Sequence, residues 1–222
     1  MVKPKDLCPP FLKNKPQVII NDQMWYIPTF ADLESFRFEG WEHIFPKKSP
    51  IHIEYCSGNG SWIAEKAEQN PDINWVAVEK RFDRSRKIWS KIKNHKLSNL
   101  IVVFGDAITL STHYIAPHSI SCLYINFPDP WPKKRHTKHR IIAPPFFEEA
   151  VRILEPKGTL IFVTDDIPFS EQFCEQITSY PQFEHSSPIF TSMPEDYGVS
   201  FFSSLFSEQG KEIRYHKIQT FP

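Results

Sequence analysis

Residues 51–80 read IHIEYCSGNGSWIAEKAEQNPDINWVAVEK. IHIEY (51–55) alternates apolar and polar residues as a strand does, and CSGNG (56–60) is a tight turn carrying two of the chain's seven glycines. SWIAEKAEQN (61–70) has the spacing of a helix opening at Ser61, and NWVAVEK (74–80) is a second strand. Strand, glycine turn, helix and strand within thirty residues make a βαβ unit, in which the two strands run parallel.

The same alternation continues downstream. FDRSRKIWSKIKNH (82–95) predicts a basic amphipathic helix with Phe82, Ile88, Trp89 and Ile92 on its sheet-facing side. LIVVFG (100–105), ISCLYINF (120–127) and TLIFVTD (159–165) read as strands, and PPFFEEAVRILEP (144–156) as a helix with its prolines where a missing N–H does no harm. KEIRYHKIQTF (211–221) predicts a late strand, antiparallel at the sheet edge. The fold class expected is therefore α/β, a doubly wound, mostly parallel sheet. Residues 1–48 lack this rhythm but carry Trp25, Tyr26, Phe30, Phe36, Phe38, Trp41 and Phe45, so they are expected to form an N-terminal extension packed on a core domain of residues 49–222.

A chain of 222 residues is long enough for one well-buried core. Lys plus Arg equals Asp plus Glu at 26 each, so any grip on a polyanion has to come from local clustering rather than an overall basic field. Cys8, Cys56, Cys122 and Cys174 are scattered, with no Cys-x-x-Cys pair and no histidine spacing suited to a metal, so no metal and a reduced cytoplasmic location are expected. No apolar stretch approaches membrane-spanning length, and no membrane association is expected. Monomer and homodimer are both compatible with these features.

In an open doubly wound sheet, ligands bind at the carboxyl ends of the strands. Each strand here ends in functional groups: Glu54 before the Gly58-Asn59-Gly60 turn, Glu79, Gly105-Asp106, Asn126-Phe127-Pro128-Asp129, and Thr164-Asp165-Asp166. Glu79 follows Gly58 by 21 residues, the position from which an acid accepts bonds from ribose hydroxyls. A full G-x-G-x-x-G would need a small residue at Ile63, so a cofactor without a pyrophosphate fits better, and S-adenosylmethionine is favoured over a nicotinamide dinucleotide. Asn126-Phe127-Pro128 also approaches an N-P-P-Y loop of amino-methyltransferases, though Phe127 interrupts it.

The segment YINFPDPWPKKRHTKHR (124–140), with GNGSWIAEKAEQNPDINWVAVEKR before it and ILEPKGTLIFVTD after it, resembles the bacterial tRNA (guanine-N7-)-methyltransferase family, TrmB. The likeness runs from about Ile53 to Asp166 and is most specific in FPDPWPKKRH. It implies a class I, Rossmann-like methyltransferase fold and methyl transfer from S-adenosylmethionine to a guanine N7 in the tRNA variable loop. Glu54, Glu79, Asp106 and Asp129 match the family's cofactor-binding acids, alongside Gly58 and Gly60 of the turn, and Asp129 is also the catalytic candidate. Lys133 and Asp165 match substrate-binding positions. The family's Thr-x-x-Glu motif falls near SSLFSEQG, with Ser204 and Ser207 in its two places. Cys56 replaces a family glycine. A left-handed backbone there would cost about 1 kcal/mol or more, whereas a turn with negative φ would accept a cysteine freely.

Guanine N7 holds a lone pair and no proton, so its methylation needs no general base. Asp129 is expected to stabilise the positive charge developing on the purine, and Asp129 or Asp165 could accept from guanine N1–H and the exocyclic amine. The prolines at 128, 130 and 132 preorganise the loop. Trp131 either stacks on the base or belongs to the core. Lys133, Lys134, Arg135, Lys138 and Arg140 are expected to contact tRNA phosphates. A non-catalytic RNA-binding relative stays the alternative, given Cys56 and Ser207.

Overall fold

A computed structural model of the chain describes residues 1–8, 18–21, 23–28, 36–131, 135, 140–198 and 201–221. They fall into two units, Met1–Ile115 and Ala116–Pro222.

The first unit contains β1 (Ile19–Asn21), β2 (Met24–Tyr26), β3 (Ile51–Tyr55), α1 (Ser61–Gln69), β4 (Asn74–Glu79), α2 (Phe82–His95), β5 (Leu100–Phe104) and α3 (Ala107–Tyr114). Its strands lie in the order β1-β2-β5-β4-β3. β4 pairs in parallel with β3 and with β5, so NWVAVE is central and buried at all six positions, as expected of a strand covered on both faces. The helices α1 and α2 have the boundaries the hydrophobic spacing predicts, and Ile88, Trp89 and Ile92 are buried. The N-terminal segment does more than pack on the core. β1 and β2 form an antiparallel hairpin, and β2 adds to β5 in parallel, with Met24 opposite Val102. Trp25 is fully buried, with Phe38 and Tyr114 rings at 4.8 and 5.5 Å and Phe36 and Trp41 slightly further out. Phe30 lies outside the described residues.

The second unit contains β6 (Ile120–Asn126), α4 (Pro144–Ile153), β7 (Leu154–Thr164), α5 (Ile167–Ile177), β8 (Phe183–Glu184), β9 (Phe190–Ser192), α6 (Phe201–Glu208) and β10 (Arg214–Thr220). β6 and β7 run parallel with α4 between them, and β10 is antiparallel to β7. The predicted edge strand is not at the edge: β8 and β9 both pair with β10 on its other side. Both are too short and too polar to show in the sequence pattern. The core of this unit is aromatic, with Phe162 and Phe173 rings 4.7 Å apart and the fully buried His216 imidazole 5.1 and 5.0 Å from them.

Candidate active site

In the first unit the β3–α1 turn is held by several hydrogen bonds to β3, β4 and α2. Ser57 Oγ donates to the Glu54 carbonyl at 2.8 Å and accepts from Val78 N–H at 3.1 Å, tying β3 to β4. Gly58 N–H donates to Glu79 Oε2 at 3.0 Å, and Arg81 N–H donates to Oε1 at 2.8 Å. Lys91 Nζ donates to the Asn59 carbonyl at 3.0 Å, and burial depresses its pKa. Gly58 and Gly60 sit at φ +57° and +69°, and a Cβ on Gly60 would lie 2.5 Å from Ile88 Cγ1. Glycine is thus required there by both backbone and packing.

Glu54 and Glu79 are buried at 2% and 4% exposure. Burial lifts the Glu79 pKa, and the Arg81 N–H, the Arg84 guanidinium and the Gly58 N–H pull against it. With one backbone N–H on each oxygen, Glu79 keeps further lone pairs for a ligand. Asp106 is exposed and caps α3, its Oδ1 accepting from Thr109 N–H at 3.0 Å. Gly105 has a structural reason instead: a Cβ there would meet Ile27 Cβ at 2.9 Å and its carbonyl at 3.0 Å.

In the second unit, β6 delivers Asn126, whose Oδ1 accepts from Tyr197 O–H at 2.7 Å in a buried pair. This orients the side chain that opens the FPDPWP loop. Phe127 follows at φ +47°, its N–H held by the Val163 carbonyl at 2.8 Å, and Asp129 then reaches the surface. Arg140 folds back onto the protein. It is half-buried: Nε donates to the Pro130 carbonyl at 2.6 Å, Nη1 to Gln172 Oε1, and the guanidinium lies 5.1 Å from the Phe169 ring centroid. The sequence does not show this bonding, because a cation at the end of a basic run looks the same whether it is solvated or folded back. Arg135 is exposed; Lys133, Lys134 and Lys138 lie outside the described residues.

Asp165, at the end of β7, is half-buried and pairs with Lys211 Nζ, which also lies 4.1 Å from the centre of the Phe206 ring. Phe206 and Phe202 of α6 stack at 23° with 5.9 Å between centroids, and Phe127 lies 5.7 Å from Phe206. Ser204 is half-buried and Ser207 exposed on the same helix. Sequence reading missed Tyr197, Phe202, Phe206 and Lys211. Nothing in their spacing marks them, since an aromatic helix after a loop reads as ordinary core.

Residues 48–211 match the family model Methyltransf_4, described as "Putative methyltransferase". A Chlamydia abortus protein named tRNA (guanine-N(7)-)-methyltransferase is 42% identical over 217 residues, spanning 96% of this chain and 96% of its own. The chain belongs to the tRNA (guanine-N7-)-methyltransferase family. Relatives of the same name from Chlamydia muridarum, 39% identical over 96% of this chain and 95% of theirs, and from Staphylococcus aureus, 31% identical over 84% and 87%, extend the match. Among solved structures, the 16S rRNA methyltransferase KamB superposes with a TM-score of 0.62 at 13% identity, covering 88% of this chain and 96% of that one. At that identity it shows the fold, which is the class I, Rossmann-like methyltransferase fold.

Membership of the tRNA (guanine-N7-)-methyltransferase family sharpens the question of Cys56. Its φ is +60°, so the turn does require a left-handed residue, and this chain meets the requirement with a cysteine. The side chain is exposed, so the departure costs backbone strain of about 1–2 kcal/mol and no steric clash in the core. Among the described residues no group of three or more His, Cys, Asp or Glu could hold a metal ion, and no helix is long and apolar enough to cross a membrane.

Proposed function

We propose that this protein methylates N7 of a guanine in the variable loop of tRNA, using S-adenosylmethionine. The observation that carries the reading is the likeness, along 96% of the chain at 39–42% identity, to relatives named tRNA (guanine-N(7)-)-methyltransferase; the variable loop is what the family resemblance implies. The first unit fits the cofactor. Two left-handed glycines, one with no room for a Cβ, allow close backbone approach, and a buried carboxylate waits beside them. Glu54, Gly58, Gly60, Glu79 and Asp106, with Asp129, are the residues proposed to hold it, the acids accepting from ribose hydroxyls, the adenine amine and the methionine ammonium group. When bound, S-adenosylmethionine supplies an electrophilic methyl on sulfonium.

The acceptor side is the work of the chain's own groups. Guanine N7 attacks with its lone pair, and the ring gains positive charge as it does so. Asp129 stabilises that charge through the transition state and takes no proton. Asp165 accepts from the guanine N1–H and amino donors, an arrangement adenine cannot satisfy, while Lys211 Nζ holds its Oδ2. Lys133, Lys134 and Arg135 neutralise tRNA phosphates, and Ser204 and Ser207 contribute substrate contacts. The division into an N-terminal extension of residues 1–48 and a methyltransferase domain of 49–222 belongs to the same proposal, as does a cytoplasmic location, for which the scattered spacing of the four cysteines speaks.

The test is tritiated methyl transfer to unmodified tRNA, followed by digestion and nucleoside identification. Label in 7-methylguanosine is expected, with a rate that shows no inflection from a general base near neutral pH. Label in a methylated adenosine, or binding of tRNA with no transfer, sinks the reading.

A further inference from the structure

We infer that Arg140 is a positioning residue for the Asp129 loop rather than part of the tRNA-binding charge. The inference rests on the reading of Asp129 as the catalytic carboxylate. Asp129 sits between two bulky residues in left-handed conformations, Phe127 at φ +47° and Trp131 at φ +44°. Such conformations cost on the order of 1–3 kcal/mol each and persist only where the surroundings over-determine them. Upstream, the Phe127 N–H is held by the Val163 carbonyl of β7 at 2.8 Å. Downstream, the hold is Arg140. Its Nε donates to the Pro130 carbonyl at 2.6 Å and its Nη2 points to the Trp131 carbonyl at 3.4 Å, so one guanidinium gathers the two carbonyls that directly follow Asp129.

The guanidinium is itself anchored. Nη1 donates to Gln172 Oε1, and the cation lies over the Phe169 ring; both residues belong to α5, and Phe169 is fully buried. The loop is thereby referenced to α5 through a planar fork that presents donors in three directions at fixed angles. Lysine, a single ammonium on a flexible stem, cannot bridge Pro130, Trp131 and Gln172 at once. Three of its five N–H donors are directed at acceptors within the protein, which fixes the orientation of the fork.

The test uses the full chain and five variants: Arg140→Lys, Arg140→Met, Gln172→Leu, Asp129→Asn and the Arg140→Lys/Asp129→Asn double. Single-turnover methyl transfer is measured at saturating cofactor and tRNA, and tRNA affinity is measured against salt. A displacement of about 1 Å in a reacting group costs on the order of 10²-fold. Arg140→Lys should therefore lose roughly 10- to 100-fold in rate with tRNA affinity unchanged, and Gln172→Leu a smaller part of that. Arg140→Met should leave the log–log salt slope of tRNA binding unchanged; a drop of about 0.7–0.9 would make it a phosphate contact and overturn the inference. In the Asp129→Asn background, Arg140→Lys should cost little more, since it acts through that carboxylate, whereas multiplicative losses would point to mere destabilisation. If both Arg140 variants fail to fold, Gln172→Leu decides: a slowed rate at unchanged tRNA affinity supports the clamp, and a wild-type rate refutes it. Asp129→Asn slowed with Arg140→Lys at wild-type rate removes the inference alone. Asp129→Asn at wild-type rate removes the reading on which it rests.

Discussion

Replacing Glu79 tests the cofactor turn at its best-defined point. The carboxylate is 4% exposed and accepts two backbone N–H groups, from Gly58 at 3.0 Å and from Arg81 at 2.8 Å, with Arg84 Nη1 4.0 Å away. Glu79→Ala leaves both donors without an acceptor, at about 1–3 kcal/mol each. Burial already opposes the charge, as the raised pKa shows, so removing it returns part of that cost and the net loss should be about 2–4 kcal/mol. If the turn has to be rebuilt when cofactor binds, the loss appears in affinity, roughly 30- to 1000-fold at 1.4 kcal/mol per decade. Glu79→Gln keeps one acceptor but turns an amide N–H₂ toward a backbone N–H, so it should recover only about half of the free energy. The assay is calorimetric titration with S-adenosylmethionine, with tRNA affinity as the control that should not move. A pH series adds a second reading. Because burial holds the Glu79 pKa above its ordinary 4.5, wild-type affinity should begin to fall with acid earlier than for a surface carboxylate, while the glutamine variant lacks that titration. Wild-type cofactor affinity in Glu79→Ala would refute the reasoning.

Three further outcomes follow from single residues. Gly60→Ala should destabilise the protein by about 2–4 kcal/mol, because it adds left-handed strain to a 2.5 Å clash with the fully buried Ile88; an unchanged urea midpoint would contradict this. Cys56→Gly should leave stability unchanged or raise it by up to about 1 kcal/mol, the relief of left-handed strain being offset by the freer unfolded chain, and a clear fall in thermal midpoint would show that φ +60° is not strained there. His216 accepts from or donates to Ser170 Oγ at 2.9 Å and bonds the Phe162 carbonyl at 3.0 Å, and burial holds its pKa down at about 4 against an ordinary 6.5. A depressed histidine pKa means stability present above pH 6.5 and lost as pH falls towards 4, here on the order of 3 kcal/mol; His216→Gln should flatten the unfolding free energy across that window, and parallel slopes would rule the residue out.

Much of the fold from 51 to 164 was readable because it is written in periodicity, but α3 was not expected, and β7 begins at Leu154, inside the helix expected to run to 156. NWVAVE, LIVVF and the Ile88–Trp89–Ile92 stripe each have one solution, and their boundaries follow to within a residue or two. The hairpin β1–β2 was not readable: three-residue strands carry too few residues for alternation to register, and MWY becomes a strand only because β5 offers it an edge. The same holds for β8 and β9, which exist by pairing with β10. The acids at the strand ends were readable as a set, since five consecutive strand termini bearing polar groups are hard to produce by packing. Their bonding was not, because it depends on partners distant in sequence, as when Glu79 closes on Gly58 or Lys211 on Asp165.

Charge shows the limit of composition most clearly. Nothing in the sequence marks Lys91, Arg140 or Lys211 for a bond within the protein, yet one holds the Asn59 carbonyl in the cofactor turn, one holds the Pro130 carbonyl after Asp129, and one covers Asp165. In each case a long side chain folds its charge onto a backbone carbonyl or an acid at a strand end. The reason is geometric. Turns after strands leave carbonyls with no ladder partner, and these need donors just as helix termini do. Left-handed Cys56, Phe127 and Trp131 lie in those same turns, where a carbonyl is swung out of register with its neighbours. Strain of this kind is tolerated when something outside the turn holds it, and a cation with several donors can do so without closing the turn to a ligand. A basic residue within reach of a strained strand-end turn should therefore be examined first as a brace for that turn, and counted towards a polyanion surface only if its donors remain free.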